Sequence, residues 1–515
     1  MGPNVTSRGQ ASLRHDVPID PTETGAARVI AAGTGSNSAI PDSSDQQSEP
    51  FHHVATLHGS WSRIRGSFSL SLLIGSLYAL TVLVFYCAGS KDSAPADDFR
   101  ITRIVVLLLV APVILKYLVH LLIAPWYPAV ESFRSRYRSD TYLPSVSVII
   151  PAWNEEVGIE ATITSVLNTD YPHLEIIVVN DGSTDRTHEV VSNLIAQHGR
   201  ERDPQGTQIR YKAVPHGGKA RALNRALADA TGDIVITIDS DSVMDPKAIR
   251  NMVKHFSDPD VASVAGNVVI DKCRRRPIGL VQQLEYLYGF YFKRADSVLN
   301  AVYIVGGAAA AYRRDVIVGL GGFDECIITE DIEMSTRIQD HGYRIQYAAD
   351  AIVYTEGPSD FKGLCRQRVR WKFGRLLTFC KYRHMFFSLN PTHNRYLCFV
   401  ILPIALFAEV LLFFEAALLI VFYAYTFYSN DFAPLEFVIL LLTSIIFLQI
   451  VTDGNARYHR NLFLLAPIAW LLFYFIELVE YQALVRSLRL LIAKETLQWQ
   501  KWLRVGVLVN RPEDT

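Results

Sequence analysis

Closely spaced carboxylates are the first chemistry in this sequence. "DSDS" (239–242) sets Asp239 and Asp241 two residues apart, and residues i and i+2 of an extended chain point the same way. Two hard oxygen donors on one side suit Mg2+ or Mn2+, whose open positions would go to phosphate oxygens. A paired-acid turn without metal is the competing expectation. "CIITEDIEMSTRIQDHGYRI" (326–345) puts Thr329, Glu330 and Asp331 at a helix start. Acids there complement the helix dipole. The functional alternative is a general base for an incoming hydroxyl, which needs burial or a neighbouring acid such as Glu330. "HGGKARALNRA" (216–226) brings Lys219 to a helix N-terminus after two glycines. That geometry suits an anion, although the P-loop spacing is absent. "CRQRVRW" (365–371) crowds three arginines, Gln367 and Trp371 shortly before the chain turns apolar. A basic run at a membrane edge is ordinarily a topology signal or a headgroup contact.

Strands must hold these groups. "SVSVII" (145–150), "LEIIVVN" (174–180), "QIRYKAV" (208–214), "DIVITID" (233–239) and "DVASVAG" (260–266) read as strands, with helical stretches such as "KARALNRALADA" (219–230) between them. That alternation predicts a mostly parallel sheet covered by helices on both faces. Ligands of such sheets bind beyond the carboxyl ends of the strands. "PAWNEE" (151–156), "NDGSTD" (180–185) and "DSDS" follow three of them. One acidic turn would be ordinary; three on one edge point to a site.

The surroundings are apolar. Half of the 515 residues are hydrophobic and mean hydropathy is +0.17. The net charge of -1 gives no global field for nucleic acid. Cys87, Cys273, Cys326, Cys365, Cys380 and Cys398 form no CxxC pair or zinc spacing, which fits reduced thiols on a cytosolic face. Residues 1–57 have the composition of a disordered tail, and "GTGSNS" (33–38) lacks the strand and helix of a nucleotide loop. No apolar run near Met1 predicts a secretory signal. Residues 58–130 predict two transmembrane helices, at 67–89 and 101–126, and 394–485 predict about three more, within 396–427, 435–452 and 462–485. Basic residues flanking the first two spans place residues 131–393 in the cytosol. The basic tail 486–515, with Trp499 and Trp502, reads as interfacial. Lys116, His120, Glu409, Glu415, Glu477 and Glu480 fall inside spans. Such groups rarely face lipid, so they pair with one another, sit near the interface or line a polar path.

"PAWNEE", "NDGSTD", "DSDS", "ITED" and "QRVRW", in that order over about residues 140–375, resemble the processive, membrane-embedded family 2 glycosyltransferases. That group includes the cellulose, chitin, hyaluronan and poly-N-acetylglucosamine synthases. The resemblance implies an α/β, GT-A (Rossmann-like) cytosolic domain inserted between transmembrane helices of the plasma (inner) membrane. Ala152, Asn154, Glu155 and Asp181 would surround the uridine of a UDP-sugar donor, and Lys219 would contact its diphosphate. Asp239 and Asp241 match the DxD pair that binds Mg2+ or Mn2+, Asp241 being the stronger ligand candidate. Asp331, beside Glu330, matches the catalytic base. Gln367, Arg370 and Trp371 match QxxRW, with Trp371 offering a face to the acceptor sugar. Arg366 and Arg368 keep the membrane-edge reading. Asn180 departs from the second Asp of many relatives.

The implied reaction is inverting polymerisation of a β-linked polysaccharide from UDP-N-acetylglucosamine or UDP-glucose, with export of the chain. "KGLCRQRVRWKFGRLLTFCKYRHMFF" (362–387) is most similar in character to poly-β-1,6-N-acetylglucosamine synthases. The implied partners are the donor, the growing polysaccharide and membrane lipid, with an accessory membrane subunit or a second copy of the chain also open. A single-sugar transferase to polyprenyl phosphate and a non-catalytic assembly subunit are the competing readings. The presence of Asp239, Asp241 and Asp331 disfavours the latter.

Overall fold

The computed structural model describes residues 63–76 and 100–495 apart from short gaps, together with 497, 506 and 507. The expected tail 1–57 and most of the first expected span lie outside the described residues. Helix α1 (Arg100–Ile123) leads through a short turn into α2 (Tyr127–Ser135). Then follow β1 (Val146–Ala152), α3 (Ile159–Leu167), β2 (Leu174–Asp181), α4 (Thr187–His198), β3 (Gln208–Val214), α5 (Lys219–Leu227), β4 (Ile234–Thr237), β5 (Ser242–Met244) and α6 (Ala248–Val253). The second half of the domain contains β6 (Val261–Ile270), α7 (Pro277–Val298), β7 (Ala310–Arg313), α8 (Arg314–Gly319), α9 (Glu330–Asp340), β8 (Arg344–Thr355) and α10 (Phe361–Lys381). The long apolar helices α11 (Leu402–Ser429), α12 (Ala433–Thr452) and α13 (Ala469–Ala493) come last.

The strands form one sheet in the order β3-β2-β1-β4-β7-β6-β8-β5. Strands β1 to β4, β6 and β8 run one way, as the alternation predicts, and two strands are reversed. Strand β7 runs antiparallel to both β4 and β6, and β5 runs antiparallel to β8. The reversal matters for the site. Because β7 runs backwards, the residues before it, Gly306–Ala309, reach the edge where β1, β2 and β4 end.

Strand alternation builds the two layers. Val146, Val148 and Ile150 of β1 and Ile234 and Ile236 of β4 enter one core, with residues of α3 and α6. Ile149, Ile177, Val179 and Val235 enter the other, with Ala222, Leu223 and Ala226 of α5 and Met334 and Ile338 of α9. Side chains of period two therefore bury both faces. The same alternation assigns α5 and α9 to one layer.

Three described segments are long and apolar enough to cross a membrane: Ala111–Ser135, Leu397–Ser429 and Ala466–Ala493. Val438–Thr452 is a shorter apolar helix. Helix α7 joins the domain to these helices. Tyr291, Phe292 and Ala295 pack on Ile74, Leu121 and Ala124, and Leu284 and Leu287 pack on Ile446 and Ile450. Near the chain's end, the Gly506 amide donates to Glu356 Oε2 at 2.9 Å, and Val507 packs with Val269 and Tyr354.

Candidate active site

The acidic pair occupies a turn. Strand β4 stops at Thr237, and the Ser242 amide donates to the Asp239 carbonyl at 3.0 Å. The extended segment expected over 233–239 is thus shorter, and the i, i+2 argument does not hold for Asp239 and Asp241. A tight connection between β4 and β5 brings the pair to the sheet edge instead. Asp241 is buried, and its Oδ1 accepts from Ser242 Oγ at 3.2 Å. Thr355 Oγ1, at the end of β8, accepts from the same serine at 2.9 Å. Asp239 is more exposed, at 34% of its side chain.

Lys219 ties this turn to the second acidic motif. Its Nζ lies 2.6 Å from Asp239 Oδ1 and 2.8 Å from Glu330 Oε1. Lys219 opens α5 and Glu330 opens α9, two helices of one layer whose N-termini converge. Burial opposes the charge on Lys219, but Asp239, Glu330 and Asp331 outweigh it and hold its pKa above an ordinary lysine's. Burial raises the pKa of Glu330, against the opposing pull of Lys219 and with help from Asp331. Asp331 is half-buried, and its Oδ1 accepts from the Ile332 amide at 2.9 Å.

Gly307 covers the cluster. A Cβ there would lie 2.7 Å from Lys219 Nζ and 3.5 Å from Asp331 Oδ2. The adjoining Gly306 has φ +92°, a conformation that favours glycine. This Gly-Gly pair is not among the site residues expected from the sequence.

The ends of β1 and β2 carry a second polar cluster. The Gly217 and Gly218 amides donate to Asp181 Oδ1 and Oδ2 at 2.8 and 2.9 Å, and His216 Nδ1 lies 2.9 Å from Oδ2. The His216 ring stacks on Trp153, with centroids 4.4 Å apart and planes at 21°. Neither ring was among the expected site residues. Trp153 stood unremarked inside "PAWNEE" and His216 just ahead of the glycines. Ala152 is buried at the end of β1. Asn154, with φ +53°, knits two loops: its amide donates to Ser183 Oγ and its Oδ1 accepts from the Thr184 amide. Glu155 is buried, and its amide donates to Thr187 Oγ1. Asn180 has a structural reason for being an amide, since Oδ1 accepts from the Ser183 amide while Nδ2 donates to Tyr211 Oη.

Helix α10 carries the last motif. Asp360 caps its start, accepting from the Gly363 amide at 3.0 Å. Gln367 is buried, whereas Arg370 and Trp371 are half-buried. The helix meets the start of α9 where Gly374 faces Thr329, one turn beyond Trp371. The membrane-edge reading fails for Arg368, which is 3% exposed. It pairs with Glu285 at 2.6 Å and approaches Glu480 at 3.6 Å. Arg366 is exposed. Several groups expected inside spans find their partners outside them. Lys372 lies 2.6 Å from Glu409 and 3.0 Å from Glu480. His120 lies 2.8 Å from Asp296 of α7.

The donor set fits a small divalent cation. Such ions take one or two protein carboxylates and fill their remaining positions with substrate phosphates and water. Among the described residues no group of three or more His, Cys, Asp or Glu side chains forms a fuller cage. Asp239 and Asp241 are the residues that would hold such an ion.

The sequence of this sheet and its edge is a known one. Residues 147–320 match the model of glycosyl transferase family 2, and residues 234–478 match that of glycosyl transferase family group 2. The chain carries a family 2 glycosyltransferase domain. The mixed α/β sheet of this family 2 domain agrees with the GT-A class implied by its motifs. Poly-beta-1,6-N-acetyl-D-glucosamine synthase of Staphylococcus aureus strain COL is 32% identical over 235 residues, 45% of this chain and 55% of that protein. The synthase of the same name from Staphylococcus epidermidis is 31% identical over 235 residues, 44% and 54% respectively. The aligned chain thus spans about half the length of these relatives. Among solved structures, the mannosyltransferase PcManGT from Pyrobaculum calidifontis, in complex with GDP-Man and Mn2+, is 22% identical. The match covers 75% of this chain and 100% of that one, with a TM-score of 0.47.

Proposed function

We propose that the protein is a multi-pass membrane synthase that polymerises a β-linked polysaccharide from a UDP-sugar on the cytosolic side and exports it. The product favoured is of the poly-N-acetylglucosamine type, from UDP-N-acetylglucosamine. The observation that carries this reading is the Lys219 bridge, which draws the DxD turn and the Glu330–Asp331 helix start to one point. The identity to the two staphylococcal synthases supports the choice of sugar. A β-glucan, chitin or hyaluronan product needs the same machinery, with a different donor.

The residues divide the work. Asp181, with Trp153 and His216, receives the nucleotide. Asp331 takes the proton of the acceptor hydroxyl, whose oxygen forms the new bond to the anomeric carbon as the bond to the diphosphate breaks. Attack opposite an α-linked leaving group gives a β-linkage, and UDP departs. A divalent cation on Asp239 and Asp241 would act as a Lewis acid on the leaving diphosphate. Arg370 adds a permanent, planar donor fork for the same charge. Lys219 keeps Asp239 and Glu330 in register. Trp371 offers an apolar face to the terminal acceptor ring.

Membranes containing the protein are given labelled UDP-N-acetylglucosamine or UDP-glucose with Mn2+ or Mg2+. Long product, digestible by a linkage-specific hydrolase, is the expected result. A lipid-extractable product bearing one sugar would instead establish the polyprenyl-phosphate reaction. No transfer from either donor would overturn the reading.

A further inference from the structure

Helix α10 has a second, inward face that the reaction scheme leaves unused. Arg368, Lys372 and Arg375 recur at near-helical spacing along it. They meet three carboxylates from three other helices: Glu285 of α7, Glu409 of α11 and Glu480 of α13. The contacts are Arg368 to Glu285 at 2.6 Å, Arg368 to Glu480 at 3.6 Å, Lys372 to Glu409 at 2.6 Å and to Glu480 at 3.0 Å, and Arg375 to Glu409 at 3.4 Å. Three cations thus face three anions. Ser487 of α13 adds a bond to the Val369 carbonyl at 3.4 Å.

Stability alone gives little reason for such a seam. Well-packed apolar side chains in place of a buried ion pair are often as stable or more so. What ions supply is directional registration of one helix against another. Here one ion has a second contact. The Arg368 guanidinium carbon lies 4.3 Å from the centre of the Trp371 ring. A guanidinium bonds carboxylates through its edge while its face stacks on an indole, which an ammonium cannot reproduce.

We propose that Arg368 is a positioning residue that fixes the Trp371 ring relative to the membrane-crossing helix α13, so that the acceptor's seat takes its position from the helices beside the exit path. The inference rests on the reading of Trp371 as the acceptor platform. Arg368 touches no reacting atom. Its nitrogens reach Glu285 and Glu480, and its guanidinium carbon lies over the indole ring. Lys372 and Ser487 also join α13 to α10, but Arg368 is the side chain of this seam that lies over the ring itself.

The test uses the full-length protein in membranes, with a short acceptor oligosaccharide varied at saturating donor, and donor varied at saturating acceptor. Arg368→Lys keeps the charge and loses the stacked plane. It is expected to raise the acceptor KM about tenfold, to shorten the product and to leave the donor KM unchanged. Glu480→Gln should shift acceptor KM in the same direction, and adding it to Arg368→Lys should produce less than the product of the two effects. An acceptor KM unchanged by Arg368→Lys overturns the inference alone. A donor KM that rises in parallel also overturns it, because a general loss of structure would do that. Absence of any transfer by the unsubstituted protein overturns the functional reading and this inference with it.

Discussion

Gly374 of α10 faces Thr329 at such close range that a methyl group on the glycine would overlap the threonine side chain, with even the Thr329 Cβ only 2.8 Å away. Thr329 immediately precedes Glu330 and Asp331, and Gly374 lies three residues after Trp371. Helices α10 and α9 therefore meet through a glycine.

Gly374→Ala should lower polymerisation about 100-fold, the scale of a 1 Å misplacement of reacting groups. Helix propensity favours alanine by about 1 kcal/mol, so loss of activity here would mark the contact and not the helix. Adding Thr329→Ala removes the hydroxyl and methyl but leaves the Cβ, and should restore activity only in part. Labelled-polymer yield from membranes checks both variants.

Asp331→Asn should reduce sugar transfer by at least about 100-fold, the low end of what a positioned general base contributes. Donor binding, read by displacement of a fluorescent UDP analogue, should persist. Asp241→Asn should act differently. Chelation with EDTA should silence the unsubstituted protein, and the variant should require more Mn2+ or Mg2+ to regain activity. Equal metal titrations for the two proteins would remove Asp241 from the ion's shell.

Trp153→Ala removes the ring stacked on His216. Base stacking on an aromatic side chain contributes about 1–3 kcal/mol. The donor KM should rise at least about fivefold, with little change in the acceptor KM. The opposite pattern would place Trp153 with the acceptor.

His255 sets an acid limit on stability. It is fully buried, and burial pushes its pKa down to about 4, with Glu131 opposing and Arg138 and Lys254 reinforcing the shift. Arg138 Nη2 and Gln346 Oε1 each lie 2.8 Å from its Nδ1, and the Gln346 contact opposes the downward shift. The unfolded chain binds the proton at an ordinary histidine pKa, near 6.5. The stabilisation is thus complete above about 6.5 and is lost as pH falls through about 4. Thermal unfolding of the detergent-solubilised protein between pH 7 and pH 4 should show this slope, and His255→Gln should flatten it.

Much of this fold is legible in the sequence. β1, β2 and β3 read correctly because their β-branched runs are bounded by turn residues. β7 was missed: "AAYR" has no strand signature, and alanine favours helix when context is silent. It is a strand because β4 and β6 flank it. The acidic motifs were legible as local patterns. Their union through Lys219 was not, because Lys219 and Glu330 are far apart in sequence and meet through the layer that α5 and α9 share. Arg368 was misread for a related reason. A basic residue near an apolar stretch looks like a headgroup contact until the carboxylates of three other helices are seen around its helix.

The bond from Gly506 to Glu356 joins residues 150 apart in sequence. Glu356 directly follows β8, and Val507 settles against Tyr354 of that same strand. The segment bearing α10 to α13 is therefore a closed circuit that leaves the sheet and returns to the same margin. Closing so long a loop adds little entropic cost over a shorter one, about 0.6 kcal/mol for each doubling of length. Among the described residues, a hydrogen bond from Gly506 and the buried side chain of Val507 register the far end of this circuit against the margin it departs from.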